Sequence, residues 1–381
     1  MTNNADTSSH ALRMAQLRLR AIVGAQRGGA GAEGSAGVSS GAGVSSGAGV
    51  SSGAGAGRGA GVSSGAHADL EVSEFGQAVG LVVDDVAWVL VTGRHERSLG
   101  PALMWALRKN ATSLKLLSTE RADELARIAT HFDFAIEVFV VDAAGDVRVA
   151  KPKSAEEIEV SVADEMFAEF IKSAGAEVVR EHGVISGEVC GLEVCRVVSA
   201  TGADDSVGAS ERELEIGVGA HDRETFKLLH GRTATTESLR KVIAEVAARR
   251  AVGAQVHPLN QLARERMLRH YVCLSPQLVG AKSLQPAQPP IARTNLKDVV
   301  PCCAVGVSLT GEKMVVIFNV GVDPDVVSFG ADARGQINAS ADLVFAMPTR
   351  DNVPAVERIA QMLRRPARFV GVDVISSSFK P

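Results

Sequence analysis

Between residues 77 and 141 the apolar positions keep two rhythms. Segments 77–83 and 86–92 are near-continuous Val/Leu/Ala runs separated by Asp84-Asp85, the pattern of two buried strands joined by a tight turn. Leu99, Leu103 and Leu107, then Leu125, Ile128 and Phe132, recur at helical spacing and predict helices over 98–109 and 121–132. Strands are predicted at 112–118 and 135–141. This alternation implies a small, mostly parallel sheet with right-handed crossovers.

The same order returns near the C-terminus. Ala304-Val-Gly306 matches Ala78-Val-Gly80 and opens a hairpin through Thr310-Gly311 into a strand at 314–319. A helix (325–334), a strand (342–347), a helix (353–363) and a strand (368–374) follow. Phe369-Val-Gly-Val-Asp373 lies over Val138-Phe-Val-Val-Asp142. The expected fold class is therefore α/β, with two small Rossmann-like ββαβαβ units. An internal duplication would let them pair about a pseudo-twofold axis.

Segment 151–284 reads differently. A helix over 156–173 leads to a strand at 176–181, one at 184–198 kinked near Gly191, and one at 212–218. Helical stretches follow at 222–230, 236–250 and 259–271. Gln285-Pro-Ala-Gln-Pro-Pro290 predicts an extended linker, so the units expected are 69–150, 151–284, a Pro-rich linker 285–300 and 301–381. Residues 1–68 are expected to be a disordered tether. After a basic amphipathic piece at 12–26 comes a six-residue repeat, Gly37-Val-Ser-Ser-Gly-Ala42, that returns from Gly43, Gly49 and Gly61. One valine per repeat buries too little apolar area to offset the entropy of ordering its glycines.

Composition sharpens this picture in three places. Aromatics are 4% of the chain, so the cores must be built from Val, Leu, Ile and Ala. Five cysteines without framework spacing, and no apolar signal segment, predict free thiols in a cytoplasmic protein with no membrane partner. Charge is uneven: 142–222 holds 7 Lys/Arg against 18 Asp/Glu, while 223–300 holds 13 against 5. An acidic block beside a basic one suits a cation centre next to a phosphate-binding surface.

Glu213 and Glu215 alternate with Leu214 and Ile216, so both carboxylates share one face of the predicted strand. Two adjacent carboxylates repel unless a cation or a proton lies between them. The order helix, strand, acid-bearing strand, acid-bearing strand, helix resembles the PD-(D/E)xK restriction-endonuclease-like nucleases over about residues 155–250. That resemblance implies Mg²⁺ held by Glu193 and by Glu213 or Glu215, with Glu165 or Glu169 assisting. The family's lysine position is occupied by Glu215 or Gly217, so Lys227 is the candidate replacement. Arg249, Arg250, Arg264, Arg266 and Arg269 would then bind the nucleic-acid phosphates. The partners expected are nucleic acid and a second copy of the chain.

The alternative is a non-catalytic ligand-binding or scaffold protein. The loop from Thr92 to Pro101, between a strand and a helix, is its candidate ligand site. Asp222 is expected to cap the helix that begins beside it, with His221 near Glu215 as a metal ligand or proton carrier. The wording of Leu214-Glu-Ile-Gly-Val-Gly-Ala-His-Asp-Arg-Glu224 and of Asn295-Leu-Lys-Asp298 resembles an uncharacterised family of actinobacterial proteins, which implies no activity.

Overall fold

The computed structural model describes residues 3–30, 71–156, 158–199, 212–230, 235–251, 253–255 and 257–373. The Gly/Ser/Ala repeat and the predicted loop at 200–210 lie outside them.

The chain is mixed α/β. Helix α1 (Asn3–Ala30) precedes a six-stranded sheet, β1 (Ser73–Phe75), β2 (Ala78–Val83), β3 (Val86–Val91), β4 (Ser113–Ser118), β5 (Ala135–Val141) and β6 (Val147–Val149). The strands lie in sequential order. Only β3, β4 and β5 run parallel, joined by α2 (Leu99–Arg108) and α3 (Ala122–Ala129). Asp84 and Asp85 both take positive φ, 50° and 62°, the type I′ geometry that matches the twist of the β2–β3 hairpin.

The C-terminal unit shows a similar order: β11 (Ala281–Ala287), β12 (Cys302–Ser308), β13 (Lys313–Phe318), α9 (Val326–Asn338), β14 (Asp342–Met347), α10 (Pro354–Ala360) and β15 (Ala367–Gly371). Here Gln285, Pro286 and Ala287 are not a linker. They pair with β12 as an edge strand, a position where proline's missing N–H leaves no ladder bond unmade.

Sequential order without reversal puts both crossover helices of each unit on one face. α2 and α3 meet α9 and α10 there, sharing a core that includes Leu103, Phe132, Phe329 and Phe345. At its centre Phe132 pairs antiparallel with Leu363. Asp133 N–H donates to Met362 O (2.8 Å), and Arg364 N–H donates to His131 O (3.0 Å). Each unit thus donates to and accepts from the other through the turn that follows its second helix.

The outer sheet faces are covered too. Leu19, Ile22 and Val23 of α1 lie on Val79, Leu81, Trp88 and Leu90, so the stretch 3–30 is a docked helix rather than part of a tether. Met267, Leu268 and Val272 of α8 (Arg264–Leu274) cover Met314, Val316 and Phe318. Burial on both faces explains why these strands are continuous apolar runs instead of alternating ones. Among the described residues no helix is long and apolar enough to cross a membrane.

The central segment opens with two short helices, α4 (Val162–Glu165) and α5 (Ala168–Ala174), where one long helix was expected. An antiparallel meander follows: β7 (Glu177–Glu181), β8 (Val184–Val189), β9 (Leu192–Ser199) and β10 (Arg212–Ile216). The single kinked strand expected at 184–198 is in fact the β8–β9 hairpin, turning at Cys190-Gly191 with φ 47° and 74°. Helices α6 (Gly219–His230), α7 (Thr236–Arg250) and α8 follow. Leu239 and Val246 of α7 pack with Ile171, Val194, Cys195, Leu214 and Ile216 to form a separate core.

Candidate functional site

Glu213 and Glu215 project from β10 away from Leu214 and Ile216, which enter the apolar core. Regular alternation would place Glu193 with the core-facing Cys195. A register shift between Gly187 and Glu188 prevents this: Gly187 pairs with Cys195 and Glu188 with Glu193, leaving Val194 as the extra residue of a bulge. The bulge reverses the phase of β9, so Glu193 reaches the side occupied by Arg196.

The three carboxylates therefore converge, and the cations between them are side chains. Arg223 Nη1 lies 3.0 Å from Glu193 Oε1, and its Nε lies 3.3 Å from Glu215 Oε2. Arg196 donates two bonds to Glu193, at 3.1 and 2.8 Å. Lys227 Nζ donates to Glu213 Oε1 and sits 3.7 Å from Glu215 Oε1. Arg223 and Lys227 are one helical turn apart, so α6 delivers both charges from one face. Gly217 and Gly219, at φ 141° and 82°, turn the chain from β10 into that helix; a Cβ on Gly217 would lie 2.7 Å from Arg223 N. Lys227 thus pairs with the predicted acids. Among the described residues no group of three or more His, Cys, Asp or Glu side chains is arranged to hold a metal ion. Glu165 is bonded to Arg180 at 2.5 and 2.8 Å.

Beside this face opens a cleft of about 530 Å³. Its walls come from the start of α6 (Gly219, Ala220, His221, Arg223), from Glu193 and Arg196, and from Arg293 to Lys297. The two segments whose wording stood out in the sequence, 214–224 and 295–298, meet here. Arg196, Arg223, Arg293 and Lys297 outnumber Glu193. Arg293 makes no hydrogen bond or ion pair with the described residues. Burial, and then the charge of Arg266, lower its pKa from the ordinary arginine value. Asp222 accepts from Val218 N–H at 3.2 Å, and His221 lines the cleft.

The five arginines expected to face phosphate part company. Arg249 is exposed and Arg264 half-buried, but Arg250, Arg266 and Arg269 are buried. Arg250 donates to the carbonyls of Cys190 (3.1 Å), Leu259 (2.5 Å) and Leu262 (2.9 Å), tying the β8–β9 turn to the segment ahead of α8. Arg266 and Arg269 share Glu181 and Glu188. Arg266 lies 2.5 Å and Arg269 2.9 Å from Glu188, with Arg269 2.9 Å from Glu181. Burial opposes ionisation of Glu188, but Arg266, Arg269 and Arg293 overcome it and hold the carboxyl at about 2. Arg250, Arg266 and Arg269 organise the interior and form no phosphate-facing surface.

The latter part of the loop from Thr92 to Pro101 is held by the other unit, while Thr92 and Arg94 are exposed. Arg97 pairs with Asp323, and Gly100 N–H donates to Asp325 Oδ1 at 2.8 Å. A Cβ on Gly100 would lie 2.3 Å from Pro324 O. With no reversal of strand order there is no switch-point crevice to fill. Burial, with Asp323 beside it, pushes Asp325 up to about 8; Arg97 offsets only part of this.

Reading the sequence alone missed Arg196, Arg223 and Arg293. The i, i+4 spacing of Arg223 and Lys227 opposite two glutamates was an available signal for the first pairing. Nothing local marks Arg293. No protein-family model, curated protein or solved structure matches the chain.

Proposed function

We propose that this chain is a non-catalytic α/β binding protein whose central segment takes a small anionic ligand, a phosphate or carboxylate ester, in the cleft between α6 and residues 293–297. The observation that carries this reading is Arg293, a half-buried guanidinium with no hydrogen bond or ion pair among the described residues, in a cleft whose lining holds more cations than carboxylates. Burial and the charge of Arg266 outweigh the more distant attraction of Glu188, Glu193 and Glu181 on Arg293, and an anion entering the cleft would offset that cost. The start of a twelve-residue helix, with its positive dipole end and N–H groups, lines the same space. The carboxylates that would have served a Mg²⁺-dependent phosphodiesterase are paired with Arg196, Arg223 and Lys227, which favours binding over hydrolysis.

The test is thermal unfolding of the full chain with pyrophosphate, ADP or citrate, in wild type and Arg293→Met. Saturating ligand at about 100 times Kd stabilises by about 2.7 kcal/mol. A rise in Tm with one of these anions, lost in the variant, supports the proposal. No rise with any of them, or an equal rise in both proteins, removes it. Mg²⁺-dependent cleavage of plasmid or RNA by wild type, abolished in Glu193→Ala, would restore the nuclease reading.

A further inference from the structure

The cleft beside α6 holds more than cations. Val218 just past β10, Leu262 ahead of α8 and Leu296 on the 293–297 stretch are half-buried, and all three line it. They also pack against the core of the central segment, so each shows one side to that core and another to the cleft. A Cβ on Gly219 would lie 3.1 Å from Leu296 Cδ1, so the bare backbone at the start of α6 leaves Leu296 uncovered on that side. At about 530 Å³ the space is of the size that takes whole organic molecules, about 300–1,000 Å³. An inorganic anion alone would leave this apolar floor wet.

The charge left over is specific too. Arg196 and Arg223 share Glu193, and Arg223 also reaches Glu215. Arg293 and Lys297 line the same space, and neither side chain makes a hydrogen bond or ion pair among the described residues. Two cations are therefore uncompensated. A carboxylate brings a single negative charge, whereas a phosphate monoester brings about 1.5 to 2 at pH 7, with three strong acceptor oxygens.

Resting on the anion-binding reading above, we propose that the ligand of this cleft is a phosphate monoester with an apolar body. Arg293 and Lys297 hold the phosphate, and the body lies on Val218, Leu262 and Leu296. Glu193 lines the cleft as well, but the two arginines bonded to it offset its repulsion. Taking the apolar floor out of water supplies affinity that charge alone does not, because exposed charges are screened by salt. Discrimination between an organic phosphate and free phosphate then belongs to Leu296, which the 293–297 stretch carries between its two unpaired cations.

The experiment is isothermal titration calorimetry of the full chain near neutral pH with phenyl phosphate, inorganic phosphate and benzoate. Phenyl phosphate combines the charge of one probe with the body of the other, and is expected to bind about tenfold tighter than either. Leu296→Ser should bring phenyl phosphate down to the level of inorganic phosphate and leave the latter unchanged. Lys297→Met, at an exposed position, should weaken phenyl phosphate about tenfold and benzoate less. Equal binding of phenyl phosphate and phosphate by the wild type overturns the apolar body, as does a preference that survives Leu296→Ser. Benzoate as tight as phenyl phosphate overturns the phosphate head. If none of the three binds while pyrophosphate, ADP or citrate still raises Tm, only this ligand class falls; if no anion binds at all, the anion-binding reading falls with it. Should Leu296→Ser not fold, the comparison of the three probes on wild type decides alone.

Discussion

Replacing Glu188 by glutamine keeps the shape of the side chain and removes one of the two charges that Arg266 and Arg269 share. Glu188 lies on β8, both arginines on α8, and Glu181 on β7, so the network ties the central meander to the helix that also covers the C-terminal sheet. Glu188 is held at about 2 instead of 4.5, a difference of about 2.5 units, which at about 1.36 kcal/mol per unit is roughly 3 kcal/mol at neutral pH. Removing one partner of a buried ion pair costs about 3–5 kcal/mol, and glutamine retains a carbonyl acceptor, so the lower figure is expected.

The pH dependence carries its own sign. A depressed carboxyl contributes stability above its unfolded pKa and loses it as pH falls through the folded one. The deficit of the variant should therefore narrow from about 3 kcal/mol at pH 7 to about 2 near pH 3.5. Trp88 and Trp105 both lie in the N-terminal unit, so fluorescence reports the wrong region. Urea unfolding followed by far-UV circular dichroism is the assay. A variant within about 0.5 kcal/mol of wild type at pH 7, or a deficit that does not narrow with acid, refutes the reasoning.

Two further outcomes follow from the contact between the units. Asp325→Asn should stabilise the protein at pH 7, with about 4 kcal/mol as the upper bound from a carboxyl raised from 3.8 to about 8. The penalty is absent below about pH 4 and grows as pH rises toward 8, so thermal melts of the two proteins should diverge across that window; parallel curves would count against it. Gly100→Ala would ordinarily gain about 1 kcal/mol in a helix. Here the added carbon meets backbone at 2.3 and 2.4 Å, and a loss of about 2 kcal/mol is expected. A raised Tm would show that the Pro324–Asp325 loop yields easily.

Local pattern carried the inner strands and the crossover helices of the two outer units to within a few residues, though not the short strands β1 and β6, because strands buried on both faces and helices with regular leucine spacing write their periods directly into the chain. The β2–β3 hairpin and strands β5 and β14 are cases in point. The same method failed at Gly191 and at Pro286. An unbroken apolar run from Val184 onward hides a two-residue turn, and a proline-rich stretch reads as linker unless its partner strand is known. At the candidate site, the shared face of Glu213 and Glu215 followed from alternation alone.

Whether Glu193 joined them depended on a single extra residue, Val194, opposite Gly187, and no periodicity records a bulge. The roles of the arginines were equally out of reach. Arg249 and Arg250 are neighbours in sequence, yet one is exposed and the other sealed against carbonyls, because successive positions on a helix point about 100° apart. Arg223 and Arg266 each pair with a carboxylate 30 or more residues away in sequence, Glu193 and Glu188. Sequence determined which segments are strands and helices and which faces are apolar. Tertiary packing decided which charges meet, since electrostatic pairing depends on distance through space and is indifferent to separation along the chain.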